Sequence, residues 1–93
     1  MKYEVLYILN ASLGEEEINA QTEKFADIVK KSGGEVEKVD KWGIKRFAYP
    51  INFKNKGFYV LMTYTANPDV PKEVERQMGI SDSVYRYMTT KAF

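Results

Sequence analysis

The chain has 93 residues, with 14 Lys and Arg against 13 Asp and Glu, and neither cysteine nor histidine. That length makes one domain over residues 1–93 with a thin core, and the composition excludes disulfide scaffolds, thiolate zinc sites, cysteine nucleophiles and histidine-based triads. The opening residues hold no long apolar run, so neither a signal peptide nor a membrane span is expected, and the chain reads as cytoplasmic.

Residues Lys2 to Leu9 alternate, with Tyr3, Val5, Tyr7 and Leu9 on one face and Glu4, Leu6 and Ile8 on the other. This predicts a strand whose second face is also largely apolar and needs cover. A helix follows near Gly14. Its start is set either by a hydrophobic staple of Leu13 and Ile18, the preferred register, or by a capping box of Ser12 and Glu15. Ile18, Phe25, Ile28 and Val29 share one helical face, Lys30 and Lys31 suit the negative C-terminal end, and Gly33-Gly34 stop the helix.

Glu35 to Tyr49 reads as a strand with a bulge or bend at Gly43, and Pro50 ends its regular pairing. After a loop from Pro50 to Lys56, the run Gly57 to Thr65 is rich in aromatic and β-branched residues, so it should be the central strand. Pro71 fits the first turn of a second helix with Val74 and Met78 on its apolar face. Gly79 and Ile80 suggest a Schellman-type end in which Ile80 touches Val74. Val84 to Lys91 supplies the last strand.

The order strand, helix, strand, strand, helix, strand is the ferredoxin-like split βαβ arrangement of the α+β class. It has a four-stranded antiparallel sheet in the order 4-1-3-2, with two helices on one face and the other face open. The charge is segregated along the chain. Glu15 to Asp40 carries eight acids and four bases, whereas Lys41 to Lys56 carries five bases and no acid, and Val84 to Phe93 adds Arg86 and Lys91 without an acid. The topology is expected to bring Lys2, Lys91, Lys30 and Lys31 to one end of the sheet as a basic corner that attracts phosphates. Lysines at helix ends also have the plainer reading of complementing the helix dipole. Lys41, Trp42, Lys45 and Arg46 fall on an edge strand beside the loop cations Lys54 and Lys56. Edge lysines commonly guard against unwanted strand pairing, but a single Trp at such an edge also suits an anchor for a partner protein.

Competing chemistries fare worse. Lys56-Gly57-Phe58 opens like the third-strand consensus of an RNA-recognition motif, but Tyr59, Val60 and Thr63 then replace the residues that motif requires, which leaves single-strand RNA binding as the alternative reading. Glu15-Glu16-Glu17 fan out around a helix and suit its N-terminus better than a metal. No phosphate-binding glycine loop is present, the loop Asn10 to Gly14 has no arginine for acylphosphatase-like chemistry, and no small-molecule substrate or cofactor is implied.

Trp42-Gly43-Ile44-Lys45-Arg46-Phe47-Ala48-Tyr49-Pro50-Ile51-Asn52, preceded by Val36-Glu37-Lys38-Val39, closely resembles the signature of the bacterial small-subunit ribosomal protein six family. Tyr3-Glu4-Val5, Tyr59-Val60-Leu61-Met62 and the run from Val84 to Lys91 are similar to that family too. Phe47 departs from the family's usual Leu, and tail functions of longer members are not carried over. The resemblance implies a ribosomal protein rather than an enzyme. Its expected partners are the central domain of small-subunit ribosomal RNA and ribosomal protein eighteen, the latter in a heterodimer. It matches Lys2, Arg86 and Lys91 to RNA-facing positions, with Lys30, Lys31, Lys54 and Lys56 as further RNA candidates. The second strand, through Trp42, Ile44, Lys45, Arg46 and Tyr49, is offered to the protein partner.

Overall fold

A computed structural model describes the backbone of residues 1–51 and 54–92, and the side chains of residues 1–46 and 56–91. The elements run β1 (Lys2–Asn10), α1 (Glu15–Lys31), β2 (Glu35–Ile51), β3 (Lys54–Thr65), α2 (Val70–Ile80) and β4 (Val84–Ala92). All pairings are antiparallel and the sheet order is β2-β3-β1-β4. This is the expected ferredoxin-like order, with β2 and β4 as edges.

Alternation in β1 sends Tyr3, Val5, Tyr7 and Leu9 into the core, where they meet Val60, Met62 and Tyr64 of β3. The helices close this face. α1 contributes Ile18, Thr22, Phe25, Ala26 and Val29, and α2 contributes Val70, Pro71, Val74 and Met78. Tyr7 and Phe25 meet edge-on with centroids 5.3 Å apart, a favoured aromatic geometry. Ile28 packs only at the margin of the core.

Gly14 caps α1 without a side-chain hydrogen bond, so Ser12 forms no capping box; Leu13 and Ile18 both pack on the core, as the staple register requires. Three glutamates in the first turn and two lysines in the last oppose the helix dipole. At the other end the Gly33 amide donates to the Lys30 carbonyl and the Gly34 amide to that of Val29, with Gly33 at φ 84°. This Schellman pattern turns the chain directly into β2.

Two expectations need correction. α2 runs through Gly79 to Ile80, with Ser81 as its C-cap, and Ile80 is 65% exposed instead of touching Val74. Gly79 lies within the helix, where its lack of a side chain admits Tyr87: a side-chain carbon there would meet the Tyr87 hydroxyl at 3.2 Å. The expected loop from Pro50 to Lys56 is also mostly strand, since β2 continues to Ile51 and pairs with Lys54. Pro50 and the polar run Lys54-Asn55-Lys56 hid this extension, and an edge strand tolerates Pro50 because its backbone need not donate inward. The ladder does break there, with a register shift between Arg46 and Ile51. Gly43 sits at a second shift, at φ 90°, a left-handed conformation that L-residues rarely adopt.

Candidate interaction surface

Residues directly opposite in an antiparallel sheet point to the same face, so the register assigns each side chain to the helix-covered or the open side. On the open side Leu6 lies between Leu61 of β3 and Met88 of β4, and two positions along, Ile8 lies between Tyr59 and Arg86. Trp42 joins this row through the bulge at Gly43, which is paired with Tyr59. Its indole stacks on the Tyr59 ring with centroids 6.5 Å apart and planes 7° apart. The Lys45 ammonium sits 5.9 Å from the indole centre, within cation–π range. An apolar band thus crosses four strands, with a shallow depression lined by Glu4, Leu6, Trp42, Leu61, Met88 and Thr90. Met88 is 57% exposed and Trp42 45%.

The charges divide along the strands. At the end of the open face where β1 begins, Lys2 pairs with Glu37 at 3.4 Å and Lys38 with Asp40 at 3.7 Å, and Glu4 and Glu35 lie nearby in register. At the other end stand Lys45 and Arg86, opposite Gly57 and Ile8. The expected basic corner is therefore not one surface. Lys91 is opposite Tyr3 and so lies on the helix side, whereas Lys2 is opposite Ala92 on the open side. Arg86 is on the open side, six positions along β4 from Ala92. Strand parity, which a reading by chain end ignores, causes the separation. Lys30 and Lys31 are exposed at the end of α1 on the helix side.

Parity also splits the candidate partner set. Trp42 and Lys45 share the open face, but Ile44 is opposite the core-packed Phe58 and Arg46 is opposite Lys56, both on the helix side. Ile44 is 58% exposed and borders a groove with Leu13, Ile18 and Phe58 at the start of α1. Lys41 is hydrogen-bonded to the Asn19 side chain. The side chains of Tyr49 and Lys54 lie outside the described residues. Leu6, Leu61 and Met88 were absent from the sequence-based site. The apolar second face of β1 was their visible signal, but only the register brings them into one band with Trp42.

Among the described residues no three acidic or other metal-ligating side chains converge, and Glu15 to Glu17 form the first turn of α1. In the loop before α1, the Asn10 side chain accepts a bond from the Ser12 amide at 2.9 Å, a local turn. None of the described helices is long and apolar enough to cross a membrane.

The sequence profile of a family described as "Ribosomal protein S6" matches residues 2–91. Among similar curated proteins, small ribosomal subunit protein bS6 of Clostridium novyi is 51% identical over 86 residues, covering 92% of this chain and 90% of the relative. The bS6 protein of Clostridium acetobutylicum is 48% identical over 87 residues, covering 94% and 92%. A crystal structure of 30S ribosomal protein S6 from Thermotoga maritima superposes with a TM-score of 0.92 at 26% identity, covering 99% of this chain and 87% of that one. The sequence match and the shared fold agree over nearly the whole chain: it belongs to the ribosomal protein S6 family, and is a structural, non-enzymatic protein of the small ribosomal subunit.

Proposed function

We propose that this chain binds the central domain of small-subunit ribosomal RNA together with ribosomal protein eighteen, as a heterodimer, during assembly of the subunit. The observation that carries this reading is the apolar band over the open sheet face. A stacked Trp42–Tyr59 pair beside exposed Met88 suits the buried centre of a protein interface better than a solvated face. The partner protein covers the band and brings positive charge of its own, and Arg86, Lys91, Lys30 and Lys31 contribute phosphate contacts around it. Lys2, held by Glu37, contributes less unless that pair opens.

The single tryptophan makes the test direct. Adding ribosomal protein eighteen without RNA should shift Trp42 emission to shorter wavelength and saturate at one-to-one stoichiometry. Leu6→Asp should weaken that binding by about tenfold or more, because it places a charge in a dry interface. An unchanged Trp42 spectrum on heterodimer formation would move the partner site elsewhere. A spectral shift with single-stranded RNA alone would favour an RNA-recognition-motif-like platform.

A further inference from the structure

The β2–β3 hairpin carries cations from Lys41 to Lys56 and no acid. Two of those whose side chains are described have partners within the fold: Lys41 bonds Asn19 and Lys45 lies over the Trp42 ring. Arg46 and Lys56 have none among the described residues. They are exposed and directly opposite one another across the antiparallel ladder, on the helix side of the hairpin. None of the ion pairs among the described residues includes either of them.

Like charges directly opposite in a sheet destabilise the pairing, since their Cβ atoms lie only about 5 Å apart. Guarding an edge does not require this arrangement. β3 is an inner strand only from Gly57 onward, where β1 pairs with it, and Lys56 lies one residue beyond that ladder; edge protection accounts for a cation on each strand, but not for placing the two directly opposite one another. Glu15 is the nearest part of α1's acidic first turn, bordering the same groove as Ile44 and Phe58, yet it forms no ion pair with Arg46 or Lys56 among the described residues. The pair is a fixed cost in the free protein that a bound anion would remove.

We propose that Arg46 and Lys56 form a two-point phosphate clamp that grips the ribosomal RNA backbone from the helix side of the hairpin, separate from the protein-docking open face. This rests on the RNA-binding reading above and deepens it, moving Arg46 from the protein partner to the RNA. Arg46 offers a planar fork that can take one phosphate in a bidentate manner, and Lys56 places a point charge on the neighbouring one. The hairpin ladder holds the two at a set spacing, so little ordering is needed on binding. The contact is to the backbone, and it fixes register without reading sequence.

The test is charge reversal within the pair. Arg46→Glu, and separately Lys56→Glu, replaces the repulsive pair with an attractive one. Each variant should unfold at a temperature higher by about 2–8 °C, yet, mixed with ribosomal protein eighteen, bind a central-domain transcript about tenfold or more weakly. The slope of log K against log salt should flatten by about two units, one for each phosphate that the pair no longer neutralises. Lys72→Glu on α2 makes the same change in net charge elsewhere and should leave the slope nearly unchanged. Heterodimer formation measured without RNA should not change in any variant. The clamp is overturned if the Arg46 and Lys56 variants keep wild-type affinity and slope, if Lys72→Glu flattens the slope as much, or if the weaker binding traces to the protein partner. Failure of the wild-type mixture to bind the transcript would instead overturn the RNA-binding reading, and the clamp with it.

Discussion

Tyr7 and Tyr64 are fully buried, and their hydroxyls find no protein hydrogen-bond partner among the described residues. Burial pushes the Tyr64 phenol up to about 12, helped by the nearby Glu75 carboxylate, and pushes Tyr7 higher still. In the unfolded chain both phenols lose their proton near pH 10. Below that pH both states are protonated and the native fold keeps its full advantage; as pH rises from 10 towards 12, the unfolded state sheds protons that the native state holds, and stability falls. Tyr64→Phe and Tyr7→Phe should each flatten that alkaline decline in a melting series. At neutral pH each should raise stability by about 1 kcal/mol, because a buried hydroxyl without a partner is removed. An alkaline limb identical to wild type in the double variant would show that other groups control it. Alternation in the sequence marked Tyr7 as core, and composition alone marked the strand that holds Tyr64, but their unpaired hydroxyls left no local trace.

Legibility differed by element for physical reasons. β1, α1 and α2 each bury one face against the same core, so their periodicity is written in the sequence, down to the Gly14 start and the Gly33-Gly34 stop of α1. Pro50 and the polar run Lys54-Asn55-Lys56 carry turn-like signals, which is why Lys54 to Lys56 read as loop. Gly43 was visible as a break, and its consequence is that Trp42 reaches the open face to meet Tyr59. A side chain at position 43 meets no atom within 4 Å, so its cost is one of backbone alone. Gly43→Ala should cost about 1–2 kcal/mol in denaturant unfolding, with a change in the Trp42 emission of the free protein as the bulge relaxes. A neutral substitution with an unchanged spectrum would mean that the bulge does not set the Trp42 position.

For the whole molecule, the net charge of +1 conceals an ordered distribution. The acids gather along α1 and the first half of β2, whereas the run from Lys41 to Lys56 and β4 carry cations and no acid. The candidate site was legible as residue types but not as surfaces. Lys2, Lys91 and Arg86 were rightly placed on their strands, yet parity and the Lys2–Glu37 pair divide them among different faces. The fold itself was legible because element order and crossover handedness leave few topologies for six elements. A nearly neutral protein with one apolar sheet face open to solvent is poorly equipped to hold RNA alone, and better equipped to do so once a partner covers that face and adds charge. The most direct test is the affinity of a central-domain ribosomal RNA transcript for this protein, for ribosomal protein eighteen, and for their one-to-one mixture, titrated at several salt concentrations. Cooperative binding should appear, with the mixture at least about tenfold tighter than either protein alone and with a steeper salt dependence; equal affinity for this protein alone and for the mixture would contradict it.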